Sequence, residues 1–235
     1  MNLITKGLAW LFLPAHWVSS REFVSIAVRI GEHLLYTGVS VLIAVLIAVP
    51  LGLYIGHTGR GRSVAVLICN VSRALPTLGL LALLILFMRS VVIPQLPVGM
   101  LPNVIVFVVL GIPPLLAGAY AGIESVDRST IDAARALGMT ELQIVLTVEV
   151  PLGFSLIFGG FRAATLQIIA TVTLAAYLTF GAPGLGHYLV FGLDSNDIPQ
   201  LIGGVILVIV LALLVDGILA VIHKLVVPRV SSGMP

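Results

Sequence analysis

Long apolar segments separated by short polar connections make up most of the chain. Five of them have about 20 residues or more and few charges, at residues 34–56, 64–88, 102–122, 152–180 and 201–222. A helix of about 20 apolar residues crosses the roughly 30 Å hydrocarbon core of a bilayer. The pattern therefore predicts an all-α polytopic membrane protein with about five transmembrane helices embedded in a lipid bilayer. The fourth segment is longer than a crossing needs, which predicts a tilted or broken helix.

The composition supports this interpretation. Of the 235 residues, 59% are hydrophobic and 9% are charged, whereas about 25% of a typical soluble domain is charged. The single cysteine, Cys69, excludes an internal disulfide and a cysteine-rich metal site. The sequence contains no metal-binding motif.

The pattern divides the chain into three parts. Residues 1–32 are predicted to form an N-terminal interfacial segment, residues 33–223 the transmembrane domain, and residues 224–235 a cytoplasmic tail. Lys and Arg are enriched on the cytoplasmic side of membrane proteins. On one predicted side they occur in the first connection, in the polar loop 124–151 and in the tail: Arg60, Arg62, Arg128, Arg135, Lys224 and Arg229. This bias predicts an N-terminus outside and a C-terminus in the cytoplasm.

The polar loop has the signals of two short helices. Ser129 with Asp132, and Thr140 with Gln143, have the spacing of capping boxes. Gly138 between them can end the first helix in the left-handed conformation. The sequence therefore predicts a helix, a glycine turn and a second helix.

The end of the loop and its charge narrow the possible roles. Pro151 is predicted to stop the second helix from running directly into the next segment. Helix, glycine turn and helix would also suit a DNA-binding motif. From Glu124 to Glu149, however, the sequence has five acidic residues and two arginines, whereas contacts with nucleic-acid phosphates need clustered basic residues. No nucleic-acid partner is expected, while an ordinary connecting loop remains an open alternative.

The loop resembles the EAA loop of permease subunits of binding-protein-dependent ABC importers. The stretch "DAARALGMTELQIVLTVEVP" matches that motif at Asp132, Ala133, Ala134, Gly138, Val148, Val150 and Pro151. Aspartate replaces the commoner glutamate, and the two valines replace isoleucine and leucine. The resemblance implies that this pair of helices couples the membrane domain to a cytoplasmic ATPase.

Three further blocks are similar to the quaternary-amine branch of these permeases, which transports glycine betaine, carnitine and choline. They are "SRALPTLGLLALL", "GIPPLLAGAYAGIESVD" and "GGFRAATLQIIATVTLAAYLTFGAPGLGHYLVFGL". The resemblance implies a methionine-permease-like type I ABC importer fold. It also implies transport of a small compatible solute across the bacterial or archaeal inner membrane.

The implied partners are two cytoplasmic ATPase subunits, a second permease that is identical or related, and an extracytoplasmic substrate-binding protein. The chain lacks G-x-x-x-x-G-K-[ST], the phosphate-binding loop of many ATPases. It is therefore expected to be a transporter subunit and not an enzyme. ATP and Mg²⁺ would be bound by the partner ATPase, and no cofactor by this chain.

Two arginines lie deep in predicted spans. Arg73, with Pro76 nearby, and Arg162, with Gln167 nearby, are candidates to line the translocation pathway, because a charge inside a bilayer usually faces a partner or a wet cavity. The alternative is that each reaches the interface or closes an ion pair, for Arg162 with Asp216. A pathway arginine would tolerate a zwitterion better than the choline cation.

Two further features have competing interpretations. The five histidines, His16, His33, His57, His187 and His223, lie near span ends and are predicted to act as interfacial anchors. The glycine-rich residues 179–193 form either an external lid or a simple turn.

Other functions stay open. The chain could be a self-sufficient secondary transporter or channel, for which Asp216 is the one candidate coupling acid. Within the ABC interpretation it could import another small amine or an amino-acid-like solute. A membrane scaffold without transport would leave the coupling pattern unexplained.

Overall fold

The computed structural model describes residues 2–19, 24–74, 76–87, 90, 100–178 and 184–231. This part of the chain is built from helices. They are α1 Leu3–Leu11, α2 Ile26–Thr58, α3 Arg62–Ala74, α4 Thr77–Phe87, α5 Met100–Glu124, α6 Arg128–Ala136, α7 Glu141–Ile144, α8 Val150–Ala175, α9 Gly186–Asp194 and α10 Ile198–Ser231. A short 3₁₀ turn spans Pro14–Trp17, and a π-helical turn, Val145–Glu149, joins α7 to α8.

Among these residues, four helical stretches are long and apolar enough to cross a membrane. They are Ile26–Thr58, Asn103–Glu124, Glu141–Ala175 and Ile198–Val226. The predicted span at 64–88 is instead divided into α3 and α4, which are shorter apolar helices. Proline has no N–H and disfavours a helical residue before it, so Pro76 breaks a segment that hydropathy reads as continuous. Its carbonyl accepts a hydrogen bond from Leu80 N–H at 2.9 Å as α4 begins.

The chain divides into two compact units. The first comprises Met1–Ser40, Pro76–Phe107 and Gln167–Val215. Its core includes a cluster formed by Trp10, Leu11, Ile26, Leu185, Tyr188 and Leu211. The Trp10 ring lies against Gly203 of α10, where a β-carbon would come within 2.5 Å of the ring. Helix α1 is thus packed into this unit, and the predicted boundary after residue 32 falls inside α2.

The start of α9 is fastened to α2 within the same unit. His33 is completely buried, its Nδ1 accepts a hydrogen bond from Leu185 N–H at 3.3 Å, and its Nε2 lies 3.2 Å from the Ile169 carbonyl oxygen. Because Nδ1 accepts, Nε2 carries the hydrogen and donates it to that oxygen. Glu32 accepts a further hydrogen bond from Gly184 N–H at 3.0 Å.

The second unit comprises Val41–Leu75, Val108–Leu166 and Asp216–Pro235. Its helices approach closely through small residues, as is common in membranes. A β-carbon at Gly118 of α5 would lie 2.6 Å from the Gly160 Cα of α8, and one at Gly52 of α2 would lie 2.5 Å from Ala119 Cβ of α5. Helix α5 therefore packs directly against both α8 and α2, and this packing frames the polar loop 124–151.

Candidate coupling site

Helix α6 is the first of the two helices in the loop. It begins after Asp127, whose carboxylate accepts a hydrogen bond from Ser129 N–H at 3.0 Å. The predicted capping box of Ser129 with Asp132 is therefore wrong, because the cap lies two residues earlier and Ser129 is already helical. An acidic cap also interacts favourably with the positive end of the helix dipole.

A glycine turn ends α6, as the sequence predicts. Gly138 has φ +83°, its N–H donates to the Arg135 carbonyl at 2.9 Å, and Met139 N–H donates to the Ala134 carbonyl at 3.2 Å. This pair of bonds is a Schellman motif, which favours glycine at the left-handed position. The turn reverses the chain within a few residues and brings α7 back beside α6.

The predicted capping box at the start of α7 is confirmed. Thr140 Oγ1 accepts from Gln143 N–H at 3.4 Å, while Thr140 N–H donates to Gln143 Oε1 at 2.8 Å. The prediction that Pro151 stops this helix is wrong, since α7, the π-helical turn and α8 run on without a break. Wider π turns accommodate local departures from the α-helical hydrogen-bond ladder, and this one lies directly before the proline.

Buried side chains hold the pair of helices together. Val126, Ile131, Ala134 and Ile144 form a cluster, with Met139 and Val148 packed against it. The opposite face of α6 is exposed and consists mostly of small or polar side chains: Ser129, Asp132, Ala133 and Ala136. Leu137 at the end of the helix is 83% exposed. A second protein can approach this face closely, and Leu137 would project towards it.

Arginine 135 connects α6 to α7. Its Nε and Nη2 donate to the two carboxylate oxygens of Glu141 at 2.9 and 3.0 Å, and its Nη1 donates to Asp132 Oδ1 at 3.3 Å. The hydrogen bonds to Glu141, helped by the charges of both acids, raise the pKa of Arg135 above its ordinary value. The two-pronged contact with Glu141 joins the helices on either side of the glycine turn.

The loop is also attached to the last turn of α2. His57 Nδ1 lies 2.7 Å from Glu149 Oε2, and His57 Nε2 lies 2.9 Å from Glu141 Oε2. Glu149, in the π-helical turn, is only 1% exposed. We refer to these two contacts as the His57 tie.

The predicted pathway residues do not share contacts in the described structure. Arg162 donates through Nε and Nη2 to Asp216 Oδ1 at 3.1 and 2.8 Å, so the ion pair raised as its alternative is present. Gln167 is half-buried, and its carbonyl accepts from Thr171 Oγ1 at 2.7 Å. Pro76 is exposed at the start of α4. The Arg73 side chain lies outside the described residues, as do residues 179–183 of the glycine-rich segment.

Two histidines are not the interfacial anchors that the sequence predicts. His33 is completely buried, and His57 belongs to the tie with Glu141 and Glu149. Proximity to a span end identifies such residues but not their partners, which are distant in sequence. Across the residues that the structure describes, no group of three or more His, Cys, Asp or Glu side chains is arranged to hold a metal ion.

Comparison with known proteins identifies the family. Residues 48–232 match the model of the binding-protein-dependent transport system inner membrane component. The chain belongs to this family. The resemblance predicted from the loop is thereby confirmed, and the protein is an inner-membrane transport subunit and not an enzyme.

Individual relatives of this permease cover almost its whole length. It is 32% identical over 206 residues to the glycine betaine/carnitine/choline transport system permease protein OpuCB of Bacillus subtilis, covering 88% of this chain and 90% of that protein. It is 30% identical over 203 residues to the osmoprotectant import permease protein OsmW of Salmonella typhimurium, covering 86% and 91%. The carnitine transport permease protein OpuCB of Listeria monocytogenes is also 30% identical over 205 residues, covering 87% of this chain and 89% of that protein.

A solved structure has the same fold. A chain of the MetNI methionine ABC transporter, in an inward-facing conformation, superposes on the permease with a TM-score of 0.75. The alignment covers 88% of this chain and 99% of that chain at 22% identity. The methionine-permease-like fold expected from the sequence is confirmed.

Sequence reasoning missed three residues of the candidate coupling site. Glu149 is an acid inside an apolar run, His57 is a histidine at the end of a span, and Leu137 is a leucine beside a glycine turn. The first two are unusual enough in those positions to be noticed. Their pairing spans 92 residues of sequence, and no local pattern encodes it.

Proposed function

We propose that this permease is the membrane subunit of an ATP-driven importer of a small quaternary-amine solute such as glycine betaine, carnitine or choline. It would work as a pair of permeases with two ATPase subunits and an extracytoplasmic binding protein. ATP and Mg²⁺ would be held by the ATPases. The observation that carries this proposal is the exposed face of α6, which matches the coupling motif and ends in a rigid glycine turn.

The shape of α6 suits a docking element. Asp132, Ala133 and Ala136 are exposed while Ala134 is buried in the cluster that holds the loop together. Small exposed side chains let a groove of the ATPase reach the backbone, and Leu137 offers an apolar anchor. Val148 packs against the buried cluster behind this face, and Pro151 lies in the first turn of α8. Movement of the ATPases would displace α6 and α7 and shift the spans between outward and inward access.

The substrate class rests on the relatives. Two of the three compared here carry glycine betaine, carnitine or choline in their names, and the third is an osmoprotectant permease. The ion pair also bears on the substrate, because Asp216 offsets the positive charge of Arg162. Arg162 therefore gives no reason to prefer zwitterions over the choline cation. A different small amine or amino-acid-like solute remains a second candidate.

The pathway assignment of Arg73, Pro76, Arg162 and Gln167 stays a proposal. Arg162 and Asp216 are each about one-third exposed, at 31% and 32%. A partly exposed ion pair on α8 and α10 is compatible with a wet surface.

The orientation is also proposed. Basic residues gather in the connection after α2 and in the loop that contains α6, at Arg60, Arg62, Arg128 and Arg135. The positive-inside rule supports a cytoplasmic loop and C-terminus, with the N-terminus outside. This orientation would present α6 to a cytoplasmic ATPase.

Reconstitution tests the proposal. The permease, its candidate ATPase and the binding protein would be placed in liposomes, and solute uptake and ATP hydrolysis measured with glycine betaine, carnitine and choline. We expect solute-stimulated hydrolysis and ATP-dependent uptake by the complex. Ala133→Arg, which puts a bulky cation on the docking face, should abolish the stimulation, whereas Ala133→Ser should retain it.

Two outcomes would contradict the proposal. Uptake by the permease alone, driven by an ion gradient, would support the secondary transporter or channel instead. Normal stimulation in Ala133→Arg would remove α6 as the docking element.

A further inference from the structure

We propose that His57 is a positioning residue for energy coupling: it fixes the coupling helices to the end of α2, so that displacement of α6 by the ATPase is passed to that helix. This inference rests on the proposed function and names a component of it that the coupling motif does not contain.

An unbroken series of charged side-chain contacts connects α6 to α2. Asp132 pairs with Arg135, and Arg135 pairs with Glu141 through two hydrogen bonds. Glu141 then contacts His57 at 2.9 Å, and His57 contacts Glu149 at 2.7 Å. Every step is within direct contact distance, so no apolar gap separates α6 from α2 along this series.

The buried end of this series gives the tie its strength. Glu149 is 1% exposed, and a buried carboxyl group needs a hydrogen-bond partner. His57 Nδ1, 2.7 Å from Glu149 Oε2, is such a partner. Removing the imidazole takes this partner away from a buried acid, which favours rearrangement of the π-helical turn.

The last turns of α2 can pass the displacement on. A β-carbon at Gly56, next to His57, would lie 2.6 Å from Ile123 Cβ of α5. The two helices touch closely here, and close-packed interfaces move as units instead of deforming continuously. The tie therefore ends on a rigid part of the second unit.

The contacts inside the loop are independent of its connection to α2. The glycine turn, the Thr140 capping box and the apolar cluster are internal to the loop and do not involve His57. The helices should therefore still fold when His57 is replaced, while their connection to α2 is lost. A purely structural role predicts instead that hydrolysis and transport fall together.

The test measures solute transported per ATP hydrolysed by the reconstituted complex. In His57→Ala and His57→Gln we expect ATP hydrolysis to continue. The amount of solute transported per ATP should fall by about fivefold or more, which is the lower end of typical coupling factors between two sites. Both N–H donors of a glutamine amide sit on one nitrogen, so they cannot take the places of two ring nitrogens that point in different directions. Adding Glu149→Gln to His57→Gln gives the buried group a donor and should restore part of the ratio.

A matched control is available in the same unit. His223 lies 3.3 Å from Ser155 Oγ and stacks on Phe158, and no carboxylate among the described residues contacts it. His223→Gln should leave transport per ATP within about twofold of wild type, because a half-exposed surface substitution rarely costs more.

Hydrogen exchange of the purified permease provides a measurement that does not depend on transport. His57→Ala should speed exchange in residues 128–149, while His223→Gln should not. If the wild-type complex shows no solute-stimulated ATP hydrolysis and no ATP-dependent transport, the proposed function is wrong. The exchange rates of His57→Ala would then still show whether His57 holds the loop to α2. Unchanged exchange, an unchanged transport ratio, or a proportional loss of hydrolysis and transport would each overturn the inference.

Discussion

Helix α2 carries two histidines that each hold a distant segment, and they do so by different chemistry. His33 is completely buried and bonds to backbone groups, the Leu185 N–H and the Ile169 carbonyl. His57 contacts side-chain carboxylates of the polar loop 124–151, Glu141 and Glu149. Backbone partners are held in place by the helices that contain them, whereas side-chain partners depend on their rotamers. The comparison distinguishes a buried backbone attachment at His33 from a side-chain tie at His57.

The largest effect is expected from His33→Ala. Removing the ring leaves the Leu185 N–H without its acceptor in a buried site, takes one of two side-chain hydrogen bonds from the Ile169 carbonyl, which also accepts from Thr173 Oγ1 at 3.1 Å, and creates a cavity. We expect a loss of about 2–5 kcal/mol in the free energy of unfolding. Thermal unfolding of the detergent-purified permease, followed by tryptophan fluorescence, measures it.

The same measurement on His57→Ala tests the comparison directly. Its loss should be smaller than that of His33→Ala, because the loop keeps its internal contacts and only the contacts to Glu141 and Glu149 are lost. Equal losses in the two variants would contradict the distinction between a backbone attachment and a side-chain tie.

A smaller effect is expected from the glycines that frame the coupling loop. A β-carbon at Gly160 would lie 2.8 Å from both Gly118 Cα and the Pro114 carbonyl oxygen, so Gly160→Ala must push α5 and α8 apart. We expect a loss of about 1–3 kcal/mol, typical of overpacking. Such a loss would show that the helices around the loop are close-packed, so that a displacement of the loop moves them together.

The adjacent glycine is the control for this prediction. A β-carbon at Gly159 meets nothing within 4 Å, so Gly159→Ala should leave stability unchanged or raise it slightly through helix propensity. If both alanine variants behave alike, the helix contact at Gly160 is not as close as described.

Features of the candidate coupling site that depend on a few neighbouring residues could be predicted from the sequence. The Thr140 capping box and the Gly138 turn are encoded within a few residues and were found. The cap of α6 was misplaced because Asp127 competes with Ser129 for the same role. The effect of Pro151 was misjudged because the π-helical turn, which no simple periodicity predicts, precedes it.

The rest depended on contacts that only the fold creates. Hydropathy predicted the membrane class, yet it could not reveal the break at Pro76 between α3 and α4. The pairing of Arg162 with Asp216 could be anticipated only as one of two alternatives, because opposite charges buried in different spans tend to pair. The partners of His33 and His57 lie 84 to 152 residues away, beyond any sequence motif.

The most direct test of the central claim, that the end of α6 docks on the ATPase, is a site-specific cross-link. In a Cys69→Ser background, Leu137→Cys and Leu193→Cys each place a reactive thiol at a well-exposed leucine, 83% and 55% exposed. After labelling with a photoactivatable maleimide, Leu137→Cys should cross-link to the ATPase subunit and Leu193→Cys should not. A cross-link from Leu193→Cys alone, or none from Leu137→Cys in an active complex, would contradict the account.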